Sequence, residues 1–335
     1  MTYNFYNDDV LVARFNYDNG EITDFTILNG ELLPKQISNG NKDIFSMWIW
    51  ERAIDLNTYK HRELAFEMLG SRDKIAVSIM THMFSISDKF TCFPKGEFIF
   101  REQLWNKEDQ DSIADFILLS SDTSLKNLKL NITPNISTDG SFVKTWKYEN
   151  NAWWLYKIQN KLASLSEYWI SKVLQKIGWN VAEYELIENS TNIKTKNFVD
   201  KKEFFEPYDS LRFMFKNKSD NDQIIYNNIA SLGKQFEVDY RRILLADALF
   251  MNSDRHMRNF GVIRSTENGR ILRMAPNFDN NQAYKSNEKI PYSNMMLKIF
   301  EKSFGLTEQD KKDIFDLKKV CLQFEYMKEI LKYGW

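Results

Sequence analysis

Two short segments carry side chains whose types and order suit phosphoryl transfer. They are Asn252-Ser253-Asp254-Arg255-His256-Met257-Arg258-Asn259-Phe260 and Ala275-Pro276-Asn277-Phe278-Asp279-Asn280. An aspartate separated from an asparagine by four residues, with a second aspartate downstream, is how phosphotransferases set a base beside two metal ligands. Asp254 is then the candidate base, and Asn259 and Asp279 are the candidate ligands. Mg²⁺ binds few protein groups because it keeps water and takes phosphate oxygens, so one amide and one carboxylate are sufficient.

These groups need an element that brings them together. Asn268-Gly269 predicts a two-residue hairpin turn, with apolar strands from Phe260 to Ile263 and from Ile271 to Met274. Reflection about that turn sets position 259 opposite 278, so Asn259 and Asp279 meet at the open end of the hairpin. An Asn-rich hairpin with merely polar ends is the plainer alternative. The spacing, the turn and both ligand types together weigh against it.

A lysine on a strand, facing a glutamate on the next helix, would hold nucleotide phosphates. Phe142 to Tyr148 and Ala152 to Ile158 predict a second hairpin, with Lys157 in its returning strand, and a helix follows from about Leu165 to Ile177, stopped by Gly178. Glu167 shares a helical face with Ile170 and Leu174. It also closes a Ser164-x-x-Glu167 capping box, in which it would serve only a backbone amide. Sequence leaves both roles open. Ahead of this hairpin lies Ser137-Thr138-Asp139-Gly140-Ser141-Phe142-Val143-Lys144, a single-glycine turn that is neither GxGxxG nor Walker A. Its interest lies in its position, one hairpin before Lys157.

The chain has 335 residues, enough for about two domains, and its 45 basic and 46 acidic residues nearly cancel. That balance argues against a general nucleic-acid binder. Cys92 and Cys321 are too few for a disulfide framework or structural zinc, and are expected to be buried thiols in a reducing cytoplasm. Neither a signal-peptide pattern nor an apolar run near the ~18 residues of a membrane span is present, so a cytoplasmic protein without membrane or direct nucleic-acid contact is expected. A small antiparallel meander is expected first, Val10 to Phe15 and Ile22 to Leu28 around Asn19-Gly20. Helices follow from Ile44 to about Phe84, with Trp48, Ala53, Ile54, Leu64, Met68, Leu69, Ile75, Ile79 and Met83 as their core face. His61 and His82 lack partners at metal or triad spacing and are expected to be surface or packing residues. A polar, turn-rich stretch from Asn106 to Asn135 places a domain boundary near 130. Near the C-terminus, Ile314, Leu317, Val320 and Leu322 form one amphipathic stretch.

Taken in order, Ser137 to Lys144, Lys157, Glu167, Asp254-Arg255-His256-x-x-Asn259 and Phe278-Asp279 resemble the HipA-like Ser/Thr kinases of bacteria. The Asp-Arg-His-x-x-Asn order is also similar to the phosphatidylinositol kinases. Upstream, Trp48-x-Trp50-x-Arg52, Arg62 and Ser85-x-Ser87-Asp88-x-Phe90 resemble the N-terminal region of HipA-like proteins from low-GC Gram-positive bacteria. The resemblance implies an α+β, two-lobed protein-kinase-like fold preceded by a small mixed α/β domain. Its bounds would be 1–130 for the accessory domain and 131–335 for the kinase domain, with lobes of about 131–207 and 208–335. It implies ATP and Mg²⁺ as cofactors, a protein substrate with a Ser/Thr hydroxyl and an antitoxin-like partner. Asp254 would be the base, with His256 in the same catalytic set, Lys157 and Glu167 the phosphate-positioning pair, and Asn259 and Asp279 the Mg²⁺ ligands. Ser137, Thr138, Gly140, Ser141 and Lys144 would cover the phosphates, and Asn197 and Phe198, in Lys196-Asn197-Phe198, would receive adenine. In that family a serine of the phosphate loop is autophosphorylated and the loop is expelled; Ser137 stands at the corresponding place. A nucleotide-binding pseudokinase with a partner-binding N-terminal domain and a phosphoinositide kinase are the competing functions.

Overall fold

A computed structural model describes residues 1–119, 133–138, 142–187, 192–283 and 292–324, with side chains in the last segment from 296. Two compact units divide the chain: Met1–Ile158 with Val199–Glu206 and Ile263–Leu272, and Gln159–Phe198 with Pro207–Val262 and Arg273–Trp335.

In the first unit β1 (Thr2–Asn7), β2 (Val10–Asp18) and β3 (Glu21–Ile27) form the expected meander. Asn19 and Gly20 turn β2 into β3 with φ of 49° and 87°, the left-handed pair that such hairpins require. Helices α1 (Lys42–Arg52), α2 (Tyr59–Leu69) and α3 (Lys74–Met80) follow, and β4 (Phe90–Pro94) returns to pair with β1, giving the order β3-β2-β1-β4. Phe5, Val12, Phe15, Ile22 and Phe25 share a buried core with Phe45, Trp48 and Ile49 of α1. Phe25 and Phe45 stack with centroids 4.1 Å apart.

The two halves of the upstream motif meet in this unit. Arg52 forks onto Asp88, with Nη2 at 2.6 Å from Oδ1 and Nε at 3.1 Å from Oδ2, and lies 4.8 Å over the Trp48 ring. Of the surface and packing roles open to His61 and His82, the structure gives both the packing one. Nε2 of His61 is 3.2 Å from the Lys144 carbonyl, Nδ1 of His82 is 2.8 Å from that of Cys92, and burial lowers both imidazoles below their ordinary pKa. Both cysteines are free and buried, and burial pushes the Cys321 thiol up to about 12. Lys89 is 8% exposed; burial, then repulsion from Arg101, brings its pKa down to about 8.

Helix α4 (Lys107–Leu119) precedes a 3₁₀ turn, Pro134–Ser137, and the hairpin of β5 (Val143–Glu149) and β6 (Ala152–Ile158). Entering the second unit, α5 (Lys161–Lys176) leads to the short hairpin of β7 (Tyr184–Leu186) and β8 (Ile193–Lys196). After β9 (Glu203–Pro207) come α6 (Tyr208–Leu211), α7 (Asp222–Ala230) and α8 (Lys234–Phe250), then β10 (Gly261–Ser265), β11 (Ile271–Met274), α9 (Tyr292–Phe304) and α10 (Glu308–Cys321). Strands β11-β10-β9 make a sheet in that order. In the second unit Ile170, Val173 and Leu174 of α5 share one core with Leu245, Leu249 and Phe250 of α8, Phe300 of α9 and Leu317 of α10. No helix among the described residues is long and apolar enough to cross a membrane.

Two local expectations are corrected. The amide of Ser265 donates to Arg270 at 3.0 Å, so the β10–β11 connection is a four-residue loop, Thr266 to Gly269, and not a two-residue Asn-Gly turn. The cause is the fully buried Arg264. Its Nε donates to the Gly269 carbonyl, Nη2 to that of Glu31 and Nη1 to that of Leu33, and Nη1 also pairs with Glu206. The loop is pulled onto the Glu31 backbone, where a Cβ on Gly269 would stand 2.2 Å from the carbonyl oxygen. Secondly, α5 begins at Lys161, and its cap is Asn160, whose side chain accepts from the Ala163 amide at 2.9 Å. Ser164 lies inside the helix, so the capping-box role of Glu167 is excluded.

Candidate active site

The Asp254 loop begins where α8 ends. Met251 takes the left-handed conformation (φ 55°) as C-cap, and the amides of Met251 and Asn252 both return to the Asp247 carbonyl. The loop then closes on itself: the His256 amide donates to Asp254 O at 3.0 Å, and the Asn259 amide to His256 O at 2.8 Å. Asp254 and His256 are exposed, whereas Asn259 is only 6% exposed. Nδ2 of Asn259 donates to the Asp254 carbonyl at 3.3 Å, which leaves its amide oxygen as the group available to a cation.

Arg255 organises this region. Its Nε and Nη2 fork onto Asp247 at 2.9 and 2.7 Å, with both side chains 7% exposed. Nη2 also donates to Oδ1 of Asn277 and of Asn280, at 3.0 and 2.8 Å. Nη1 donates at once to the carbonyls of Asn259 (2.9 Å) and Phe278 (2.6 Å). One guanidinium nitrogen therefore ties the backbone of one candidate ligand to the residue preceding the other. Burial works against the Arg255 charge, yet the attraction and hydrogen bonds of Asp247, with further pull from Asp279, outweigh it and raise its pKa.

Asp279 has a φ of 61°, a strained conformation for a residue with a Cβ. Its amide donates to the Tyr184 hydroxyl at 3.1 Å, and its Oδ1 accepts from Nδ2 of Asn281 at 3.1 Å. Phe278 packs with Phe198, ring centroids 5.4 Å apart, in a cluster with Ala182, Tyr184, Ile193 and Tyr168. The half-buried Asn197 and Phe198 directly follow β8. Among the described residues no trio of His, Cys, Asp or Glu is gathered for a metal ion. Asn259 and Asp279 offer one amide oxygen and one carboxylate, a donor set that fits Mg²⁺ sharing its shell with phosphates. Glu167, fully buried on α5, accepts from Nε2 of Gln159 at 2.6 Å.

The remaining candidates lie in the first unit. Lys144 and Lys157 are direct partners in the β5–β6 register, and Lys157 is 7% exposed. Ser137 and Thr138 are buried at the end of the 3₁₀ turn, with Thr138 Oγ1 donating to Pro134 O at 3.0 Å and Ser137 Oγ making no hydrogen bond among the described residues. Asn135 secures this turn, its Oδ1 accepting from the Trp146 amide at 2.8 Å and from Thr145 Oγ1 at 3.1 Å. Gly140 and Ser141 lie outside the described residues.

Sequence reasoning quoted Arg255, Asn277 and Asn280 without giving them roles and passed over Asp247. A signal existed for Asp247, a lone carboxylate in the apolar run Leu244-Leu245-Ala246-Asp247-Ala248-Leu249-Phe250. In the last turn of a helix a carboxylate opposes the helix dipole, so its presence there asks for a cation.

Residues 127–332 match the family model described as the HipA-like C-terminal domain. No curated protein sequence matches the chain. HipA of the Shewanella oneidensis MR-1 toxin–antitoxin system, solved with HipB and its operator DNA, is similar over 99% of this chain and 91% of its own, at 13% identity and a TM-score of 0.59. The Helicobacter pylori proinflammatory kinase CtkA matches over 56% of this chain and 77% of its own, at 18% identity and a TM-score of 0.39. At such identities the HipA likeness speaks to fold, which is α+β and kinase-like.

Proposed function

The chain belongs to the HipA-like C-terminal domain family, and from that premise we propose that it is an ATP- and Mg²⁺-dependent protein serine/threonine kinase. The observation that carries the reading is the Arg255 bridge, which holds the backbone at Asn259 and Phe278 to one nitrogen and so gathers the two candidate Mg²⁺ ligands. Mg²⁺, when bound, would neutralise phosphate charge and orient the transferred group.

In this reading the exposed Asp254 orients a substrate hydroxyl and accepts its proton, and its loop is kept in shape by Asn259 and His256. Lys157 and Lys144 contact phosphates, and Asn197 and Phe198 receive the adenine. Ser137 is the autophosphorylation site. Its hydroxyl is buried, with no partner among the described residues, so modification requires the 3₁₀ turn to open, and a phosphate of roughly −2 charge would then prevent it from closing beside ATP. The HipB complex of the Shewanella protein supports an antitoxin-like partner and a role in a toxin–antitoxin or stress-response system.

The test is the intact mass of the protein after incubation with ATP and Mg²⁺, beside Asp254→Asn, with adducts mapped. Phosphate on Ser137 in the wild type alone is expected. No adduct, together with no phosphorylation of any cell-extract protein, would remove the kinase reading in favour of a nucleotide-binding pseudokinase.

A further inference from the structure

We infer that Asp247 is a positioning residue for the metal site, acting through Arg255 to set both the spacing and the local charge of Asn259 and Asp279. This rests on the metal-site reading above and adds a residue that touches neither metal nor substrate.

The geometry is specific. The Asp247 carboxylate occupies the Nε and Nη2 edge of Arg255 and also accepts from Nδ2 of Asn252 at 2.9 Å, so it fixes the loop at its first residue and at its centre. With that edge fixed, Nη1 has one direction left, and it lies between the Asn259 and Phe278 carbonyls. The charge argument runs parallel. A guanidinium 7% exposed and close to Asp279 would repel a divalent cation if it were unneutralised, and Asp247 supplies the compensating charge. Nothing in the helix itself calls for an acid at this position, since the dipole at the end of α8 disfavours it.

The experiment measures Mn²⁺ binding by electron paramagnetic resonance, with and without ATP, on the full chain as wild type, Asp247→Asn, Arg255→Lys and the double variant. Groups that orient metal ligands typically contribute 10–100-fold in metal affinity, so each single variant should weaken Mn²⁺ binding about tenfold. The double variant should be no worse than the weaker single, because both changes break one linkage. Unchanged Mn²⁺ affinity in Asp247→Asn, or fully additive losses, would overturn the inference while leaving the kinase reading intact. Wild-type protein that binds no Mn²⁺ under either condition would overturn the metal site and the inference with it. Should Asp247→Asn fail to fold, Arg255→Lys decides alone: it keeps the buried charge but lacks the fork. Retained Mn²⁺ affinity in that folded variant would overturn the inference, and a tenfold loss would support it.

Discussion

Lys144 and Lys157 stand directly opposite one another across the β5–β6 hairpin, on the same face of the strand pair. Like charges so placed cost about 0.2–1 kcal/mol unless an anion lies between them. Lys144→Gln should therefore change the stability of the nucleotide-free protein by no more than about 0.5 kcal/mol, while weakening ATP binding severalfold. Thermal unfolding with and without ATP measures both, and equal ATP protection in variant and wild type would rule out a phosphate role for Lys144.

The two proposed Mg²⁺ ligands should respond differently to truncation. Asp279 is half-buried, whereas Asn259 is 6% exposed and also holds the Asp254 carbonyl. Asp279→Ala is expected to lower phosphoryl transfer by two or more orders of magnitude (about 10²-fold) with little loss of melting temperature. Asn259→Ala should lose activity and about 1 kcal/mol of stability together. Although placed at the open end of the hairpin, Asn259 is buried because its amide nitrogen is used inside the loop. Activity assays beside denaturant unfolding check this, and an Asp279→Ala variant as active as wild type would contradict it.

Lys89 offers a test that is independent of function. Its pKa falls from 10.5 to about 8 on folding, so between those values the unfolded chain holds a proton that the folded form has lost, and stability rises with pH across that window. Below about pH 8 the buried charge costs up to about 3 kcal/mol. Lys89→Met should stabilise the protein at pH 7, with a gain that shrinks from pH 8 upwards and is gone above 10.5. Unfolding free energies of both proteins at pH 7, 9 and 10 would show it; a gain independent of pH would exclude burial of charge as the cause.

Asn135 is the fastening of the turn that carries Ser137. Removal of its side chain strips acceptors from the Trp146 amide and Thr145 hydroxyl, at about 1–3 kcal/mol for buried groups left unpaired. Asn135→Ala should expose residues 133–138 to limited proteolysis and speed phosphate incorporation at Ser137. Unaltered rates of both would show that the turn opens by another route.

What could be read from sequence was what is local. The Asp254 and Asp279 segments, the Asn19-Gly20 turn and the helical stripes of Trp48, Leu64 and Ile79 each depend on neighbours within a few residues. Short strands such as β4 and β9 gave too little periodicity to be seen. Asn160 and Ser164 stand one helical turn apart and both can cap, so only the structure separates them. Asn268-Gly269 is a strong hairpin signal that lost to Arg264, whose partners Glu31 and Leu33 lie far upstream. The Arg255 clamp escaped notice for a similar reason: its acceptors are scattered from Asp247 to Asn280.

Gly269 shows how such a long-range contact becomes a limit on variation. Its φ of +69° already disfavours a side chain, and the Glu31 carbonyl occupies the space a Cβ would need. Asparagine or aspartate, which commonly replace glycine in left-handed turns, would satisfy the first restriction and violate the second. A library randomised at position 269 and selected for folded protein should return glycine alone, while exposed Glu267 on the same loop and Arg270 just after it accept many substitutes.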